Sequence, residues 1–234
     1  MPVEQPTNRV LAALAHLERQ PWQSRLERVE MRPGHTLVPS HAATDFVYFP
    51  EDALVGLAHP GGPDGGLVPL ALVGNDGLIG VAPFLGVPAE RIRAVVLHPG
   101  SVWRLPVAAL DNGALLSEGQ LRVVLRYVEA LNAQMAQVAL CQLQHTVYQR
   151  LCRWLLDAFG RTPDFVLHMD ATELSAWVGA APEAVALATT QLVAEGALSQ
   201  RNGSIHLLDS SLLGRLSCTC HHQVQRQVDR LFPR

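Results

Sequence analysis

The sequence of 234 residues contains no lysine, and its 18 basic residues are all arginine. Charged residues make up only 17% of the chain, and the formal net charge is −3. A chain of this charge has no global positive field, so a nucleic acid would have to bind a local patch. The hydrophobic share of 48% and the mean hydropathy of +0.14 exclude long disordered segments and are enough for one large or two small cores.

Long apolar runs and targeting segments are also missing. No continuous apolar run reaches the ~18 residues of a membrane span, and no basic start precedes an apolar N-terminal run. We therefore expect a cytoplasmic protein with no membrane partner. The first cysteine is Cys141, and a reducing cytosol would keep it and the three later cysteines as thiols.

Common enzyme motifs are absent as well. The sequence has no Gly-x-Ser-x-Gly and no His-Glu-x-x-His, and its glycine-rich segment "GNDGLIG" lacks the dinucleotide and P-loop patterns. These motifs supply the nucleophiles, metal ligands and phosphate cradles of large enzyme classes. We expect no enzymatic activity.

The N-terminal half has the sequence pattern of a β protein. Short apolar runs, such as 46–49 and 54–57, alternate with proline, glycine and aspartate over residues 31–106. Strands that recur every 8–12 residues with turn signals between them are typical of a β-sandwich or β-barrel.

The periodicity becomes helical between residues 117 and 161. Apolar residues follow Leu121 at alternating spacings of three and four, which is the seam pattern of a coiled coil. A helix packed on its own domain shows the same stripe, so both interpretations remain open. As a dimer interface, the stripe predicts Val124, Val128, Leu131, Met135 and Val138.

Residues 163–209 carry the signals of a winged helix-turn-helix. Asp170 and Glu173 form a capping box before one short helix, and Gly179 suits the turn after it. Pro182 is well placed at the first position of a second helix. The segment "RNGS" between two apolar runs then predicts a β-hairpin with Asn-Gly at its tip.

This order of elements resembles the Crp/Fnr superfamily of bacterial transcription regulators, and the resemblance covers nearly the whole chain. Several segments are similar as well: "MRPGHTL" (31–37), "VYFPEDALVGL" (47–57), "LVGNDGLIGVAPFLG" (72–86), "QHTVYQRLCRWLL" (144–156), "LSQRNGSIHLLD" (198–209) and "CTC" (218–220). The resemblance implies an α+β fold, with a jelly-roll (double-stranded β-helix) sensor of the cyclic-nucleotide-binding type at 1–116, a dimerisation helix at 117–143 and a winged helix-turn-helix at 144–234. It also implies a homodimeric activator that binds DNA and contacts RNA polymerase.

The ligand motif of nucleotide-binding members is degenerate here. In those members a glutamate follows an Ile-Gly pair and binds the ribose, and an arginine followed by serine or threonine holds the cyclic phosphate. In this chain valine follows Ile-Gly, and no hydroxyl residue follows either arginine of "ERIRAVV". We therefore expect a regulator that does not depend on cyclic AMP, with an unknown effector. The candidate pocket residues are Ile79, Gly80, Val81, Arg91 and Arg93.

Other cofactors receive no support from the resemblance. Iron–sulfur sensors of the family place their cysteine cluster near the N-terminus, and this chain has no cysteine before residue 141. The ten histidines leave haem ligation open, although the chain lacks a Cys-x-x-Cys-His attachment motif. We expect no cofactor.

The second helix of the winged unit has lost most of the chemistry that reads DNA. Relatives that read DNA carry arginine and glutamate on its exposed positions, because these residues pair with guanine and cytosine. Glu183 is kept, but Pro182 and Leu187 stand where arginines are expected. Residues 165–210 hold one arginine against five acidic residues, which repels phosphate. The candidate DNA contacts are Thr172, Glu183, Ala186, Thr190 and Arg201, with Arg150, Arg153 and Arg161 as further phosphate contacts.

Two functional hypotheses follow from these residues. The favoured one is a transcription regulator that binds DNA weakly or with atypical preference. The alternative is a regulator that has lost sequence-specific DNA binding and uses its winged domain for protein interaction.

The segment "CTCHH" offers two thiols and two imidazoles, which suit a soft divalent metal. Cys-x-Cys is tighter than the usual zinc spacing, and one helix would send the two thiols in different directions. We therefore expect no metal site. The candidate ligands, should one exist, are Cys218, Cys220, His221 and His222, and a redox or structural role for the pair is equally open.

Overall fold

A computed structural model describes residues 6–17, 21–61, 66–111 and 116–231. The N-terminal part begins with helix α1 (Arg9–Leu17) and a 3₁₀ turn (Pro21–Arg25). Seven strands follow: β1 (Glu27–Met31), β2 (Thr36–Val38), β3 (Phe46–Pro50), β4 (Leu54–Pro60), β5 (Leu67–Val73), β6 (Arg93–His98) and β7 (Gly100–Pro106). A 3₁₀ turn (Ala82–Leu85) lies between β5 and β6, and the short helix α2 (Ala108–Asp111) follows β7.

The C-terminal part is mostly helical. Its elements are the helices α3 (Glu118–Gln144) and α4 (Val147–Phe159), strand β8 (Val166–His168), helices α5 (Ala171–Val178) and α6 (Pro182–Ala194), strands β9 (Leu198–Arg201) and β10 (Ser204–Leu207), and helices α7 (Ser210–Leu216) and α8 (Cys220–Leu231).

The first seven strands form two antiparallel sheets that share a core. One sheet has the order β1-β7-β3 and the other the order β2-β6-β4-β5. Phe49 and Val102 of the first sheet lie in the same buried cluster as Val55 and Val96 of the second. Apolar side chains that alternate along the strands therefore meet between two layers, as the strand rhythm of the sequence predicts. We call this unit the roll.

Helix α3 is fastened to the roll by polar side chains as well as by apolar ones. Gln120 Nε2 donates to the carbonyl of Leu14 in α1 at 3.1 Å. Tyr127 donates its hydroxyl to the carbonyl of Leu78 at 2.7 Å, and Gln134 Nε2 donates to that of Leu72 at 3.2 Å. The accepting carbonyls belong to α1, to the loop after β5 and to β5 itself, and the three bonds fix which face of α3 turns inward.

The residues of the predicted dimer seam pack within the chain, and the most buried of them are covered by the roll. Val124 is fully buried in the core of the roll, and Leu131 and Val138 are also buried within the chain. Val128 and Met135 are half-buried against the same core. A stripe of this spacing packs on whichever apolar surface it meets, and here the roll of the same chain supplies it.

Helices α5 and α6 form the expected helix-turn-helix. Asp170 and Glu173 make both hydrogen bonds of the capping box, and Gly179 ends α5 in the left-handed conformation at a φ of 70°. Pro182 is the first residue of α6. The hairpin tip uses Asn202 and Gly203 at positive φ, as a type I′ turn requires, and β8 adds a third strand to this wing.

The winged unit packs directly on the outer face of the roll. Trp177 of α5 lies in one buried cluster with Leu54, Leu72 and Leu97 of the roll. The indole lies so close to β4 that a Cβ on Gly56 would come within 2.4 Å of two of its ring carbons. The absence of a side chain at Gly56 therefore allows α5 to pack closely on the sheet.

Candidate nucleic-acid interface

The outer face of α6 is open to solvent and carries almost no charge. The helix buries Val185, Ala188 and Leu192 and turns Glu183, Ala186, Leu187 and Thr190 outward. Thr190 donates its hydroxyl to the carbonyl of Ala186 at 2.9 Å, so that group already has an acceptor. The face thus offers one carboxylate, two methyl-bearing residues and an exposed leucine to a partner.

The other two predicted DNA contacts flank this face in the fold. Thr172 is exposed in the first turn of α5, and Arg201 is exposed at the end of β9, beside the tip of the wing. Backbone amides of the first turns of α5 and α6 add positive ends of helix dipoles to the same surface. Among the predicted DNA contacts, Arg201 carries the charge that can pair with a phosphate, and Glu183 carries a carboxylate that can accept from a base.

The three arginines expected near the phosphates are engaged inside the protein. Arg153 is buried and pairs with Asp157 at 2.6 Å. Arg161 is also buried and makes a bidentate pair with Asp76 of the roll, at 2.7 and 3.1 Å. This part of the expectation is wrong because the acid partner of Arg161 lies 85 positions away along the chain, beyond the reach of a local pattern.

The third of these arginines, Arg150, is half-buried and closes the turn between helices. Its Nη1 donates to Gln142 Oε1 and, at 3.3 Å, to the carbonyl of Gly179. Gln142 in turn donates through Nε2 to the carbonyl of Val178 at 2.9 Å. Arg150 therefore fixes the helix-turn-helix on the end of α3.

Asp157 lies at the centre of a buried ionic network between α4 and α8. Burial alone would raise the pKa of Asp157, but the hydrogen bond from His221 and the charges of Arg153 and Arg161 outweigh it and lower that pKa. His221 Nδ1 lies 2.6 Å from Asp157 Oδ1. His221 is thus occupied with a carboxylate and not with the neighbouring thiols, and His222 is exposed.

The four residues that cluster around the cysteines differ from the four expected. Ligand atoms of Cys141, His145, Cys218 and Cys220 all lie within 4.8 Å of one another. The two thiols of Cys-x-Cys meet because Cys218 precedes α8, which begins at Cys220, so the pair is not spaced by a single helix. Sequence reasoning missed Cys141 and His145, although their spacing of four on the predicted helix places them on one face.

The thiols of this cluster influence each other. Cys141 and Cys218 lie 3.7 Å apart, sulfur to sulfur, and both are buried. The hydrogen bond from Cys141 lowers the pKa of the Cys218 thiol to about 5, and the same contact raises the pKa of Cys141. The shared hydrogen bond therefore favours the anionic form of Cys218 over that of Cys141.

A small apolar pocket lies where the resemblance places the ligand site. Ile79, Gly80 and Val81 line it, together with Leu131 of α3. Glu90 also lines the pocket, and its Oε1 accepts a hydrogen bond from the backbone of Ala82 at 2.8 Å.

The two arginines expected in the pocket are not among the described residues that line it. Arg91 is exposed, and Arg93 donates from Nη2 to Thr36 Oγ1 at 3.0 Å. The expectation for both is wrong because the pocket-facing positions of this segment are Ile92, just before β6, and Ala94 within it. A cyclic phosphate would find no cation there.

Comparisons with known proteins agree with this architecture. Residues 149–216 match the Crp-like helix-turn-helix domain family. A CRP/FNR-family transcriptional regulator from Thermus thermophilus superposes with a TM-score of 0.65 at 22% identity, covering 82% of this chain and 98% of that one. FixK2 from Bradyrhizobium japonicum superposes with a TM-score of 0.68 at 18% identity, with the same coverage of 82% and 98%.

A third solved structure is the c-di-GMP-responsive global regulator CLP of Xanthomonas campestris, at a TM-score of 0.61 and 15% identity, covering 80% of this chain and 95% of that one. A search of curated protein sequences found no match. No helix in the part of the chain that the structure describes is long and apolar enough to cross a membrane. Residues 149–216 are therefore a Crp-like helix-turn-helix domain, carried on a chain that has the overall fold of the CRP/FNR transcriptional regulators.

Proposed function

We propose that the chain is a cytoplasmic, DNA-binding transcription regulator of the Crp/Fnr type that acts as a homodimer and binds duplex DNA weakly or with atypical preference. The observation that carries the proposal is a Crp-like helix-turn-helix whose second helix keeps its outer face open to solvent. With Glu183 and Arg201 as the charged groups on that face, few phosphates are neutralised. The salt dependence of binding is then shallow, because each phosphate contact contributes to it.

Fluorescence anisotropy with the full chain and a random duplex tests this function. We expect a Kd in the nonspecific range of about 10⁻⁴ to 10⁻⁶ M at physiological salt. Replacing Arg201→Glu weakens binding several-fold, whereas Arg32→Glu, on an exposed turn of the roll, leaves it unchanged. An affinity poorer than ~10⁻⁴ M even at low salt excludes a DNA-binding role. Capture of genomic DNA then identifies the operator as an enriched inverted repeat.

The homodimer is proposed on a face of α3 adjacent to the predicted one. Leu121, Leu125 and Leu143 are exposed and lie within about 40° of each other around the helix, at ~100° per residue. Two copies joined there would present two α6 helices to one side of a duplex, where half-sites recur about every 34 Å.

An effector, if one acts, binds the pocket at Ile79–Val81. The apolar lining supports a small apolar molecule and argues against cyclic AMP, whose phosphate needs a charged or hydroxyl partner. Because Leu131 of α3 forms part of the wall, occupancy changes the packing of the dimerisation helix. Isothermal titration with cyclic AMP should give no heat of binding, and saturable binding at micromolar concentration would contradict this part of the proposal.

A second candidate function is a winged domain that binds protein. Leu187 is 72% exposed at the centre of the outer face of α6, and Leu208 and Phe165 are also exposed on this unit. Exposed large apolar side chains favour a protein partner such as RNA polymerase over a phosphate backbone. The substitution Leu187→Glu separates the two functions: it lowers DNA affinity if α6 enters a groove and leaves it unchanged if α6 binds protein only.

A further inference from the structure

A metal-binding geometry is present where the end of α3 meets the start of α8. The ligand atoms of Cys141, His145, Cys218 and Cys220 lie within 4.8 Å of one another, and all three cysteines are buried. The cluster is separate from the pocket of the roll and from the outer face of α6. It is independent of the regulatory function proposed above.

Two distances within the cluster match the edges of a tetrahedral zinc site. With Zn–S bonds of ~2.3 Å and Zn–N bonds of ~2.1 Å, a regular tetrahedron has an S···S edge of about 3.8 Å and an S···N edge of about 3.6 Å. The sulfurs of Cys141 and Cys218 lie 3.7 Å apart, and Cys220 Sγ lies 3.6 Å from His145 Nδ1. These two contacts are opposite edges of the same tetrahedron.

The local backbone explains how four distant ligands converge. Cys141 and His145 are four residues apart, so the end of α3 carries both on one face. His145 is the first of the two extended residues between α3 and α4, directly after the last residue of α3. Cys218 lies two residues before Cys220, the first residue of α8, and α8 packs along α3.

We propose that Cys141, His145, Cys218 and Cys220 form a closed, structural Cys₃His site for a soft divalent cation, zinc above all. Thiolate and imidazole ligands select zinc over the hard cations, which prefer oxygen. Four protein ligands leave no open coordination position, so the site is structural and not catalytic. By joining α8 to the junction of α3 and α4, the metal holds the C-terminal helix against the element that links the roll to the winged unit.

The alternative chemistry of the same residues is a disulfide. A Cys141–Cys218 bond would use two of the four groups and leave Cys220 beside His145 without a common role. Forming it also requires an oxidant, which a zinc site does not need. Thiols counted after denaturation with a chelator therefore distinguish the two: all four cysteines react if the site holds zinc, and two react if the disulfide has formed.

Metal analysis of the full chain, purified without chelator or affinity metal, tests the proposal. We expect about one zinc per chain after gel filtration. Replacing the zinc by Co²⁺ should produce intense tetrahedral d–d bands and a thiolate-to-cobalt charge-transfer band. Cys218→Ser and His145→Ala should lose more than half of the metal. Two matched controls keep it: Cys152→Ser, which removes a buried thiol outside the cluster, and His222→Ala, which removes an exposed imidazole.

Two further measurements keep the proposal testable if a variant fails to fold. Chelation of the wild-type chain should speed proteolytic cleavage within α8 and leave the roll intact. Restored protection on adding Zn²⁺ supports the site. Wild-type protein that carries no more zinc than Cys218→Ser, or that shows no charge-transfer band with Co²⁺, overturns it. A loss of two free thiols without bound metal identifies the disulfide and overturns it equally.

Discussion

At the scale of single residues, the contact between roll and winged unit depends on one absent Cβ and one buried ion pair. Gly56 leaves space for the Trp177 indole, and the carboxylate of Asp76 accepts hydrogen bonds from Nε and Nη2 of Arg161. Neither residue touches the outer face of α6. Both nevertheless decide how α6 is presented, because they fix the unit that carries it.

Substituting Gly56→Ala should displace Trp177 from β4. The added methyl group would meet two ring carbons at 2.4 Å, and such overpacking costs about 1–3 kcal/mol of unfolding free energy. Urea unfolding followed by tryptophan fluorescence measures the loss. Gly119→Ala serves as the control: its nearest neighbour is at 3.5 Å, so alanine there should stabilise α3 by up to ~1 kcal/mol. Equal effects at both positions would contradict a specific clash.

Substituting Asp76→Asn should destabilise the chain by about 3–5 kcal/mol, since it removes the carboxylate that forms the ion pair with the buried guanidinium of Arg161. Chemical denaturation at neutral pH gives the value. The exposed pair of Arg122 with Glu118 is the matched comparison, and Arg122→Ala should cost less than ~1 kcal/mol. A loss below that figure for Asp76→Asn would show that water reaches Arg161.

At the scale of elements, α3 has two apolar faces with different partners. The face with Val124 and Leu131 is buried against the roll, and the face with Leu121 and Leu125 is exposed. A sequence stripe shows that a helix is amphipathic but not which neighbour covers it. The exposed leucines, and not the regular stripe, therefore define the surface on which a second copy can pack.

Substituting Leu125→Glu should convert the proposed dimer to a monomer, because it places a charge in an apolar interface. Light scattering during gel filtration measures the mass. Leu85→Glu removes an exposed leucine from the roll and should leave the dimer intact. A Leu125→Glu chain that remains dimeric would exclude this face of α3 as the main interface.

At the scale of the whole molecule, a histidine pair joins the roll to the wing. His98 ends β6 and stacks on His168 of β8, with ring centroids 6.3 Å apart. Its Nε2 lies 3.6 Å from Asp164. Burial lowers the pKa of His98 below 6.5, and the neighbouring charge of His168 lowers it further. The carboxylates of Asp164 and Asp52 act in the opposite direction but do not outweigh burial.

The sign of this shift predicts a pH dependence of the joint. The folded chain favours the neutral ring of His98. The contribution of His98 to the unfolding free energy is therefore complete above its unfolded pKa of about 6.5, and it is lost as pH falls through the lower pKa of the folded state. Unfolding free energy should therefore decline below about pH 6.5 more steeply in the wild type than in His98→Gln. Parallel profiles for the two chains would show that His98 does not contribute.

The sequence by itself determined the features that obey local rules. The capping box of Asp170 and Glu173, the left-handed Gly179, Pro182 at the start of α6 and the Asn202-Gly203 turn all depend on neighbours within a few residues. The strand rhythm determined the antiparallel roll for the same reason. These rules predicted the winged unit and the family resemblance.

Only the tertiary structure decided which partners those elements meet. In the folded chain the apolar stripe of α3 packs on the roll, and Arg161 pairs with Asp76. Arg93 bonds to Thr36 outside the pocket. Cys141 and His145 lie beside Cys218 and Cys220. The physical reason is common to all four. Burial and charge pairing depend on distance in space, and the contacting residues here lie tens of positions apart along the chain.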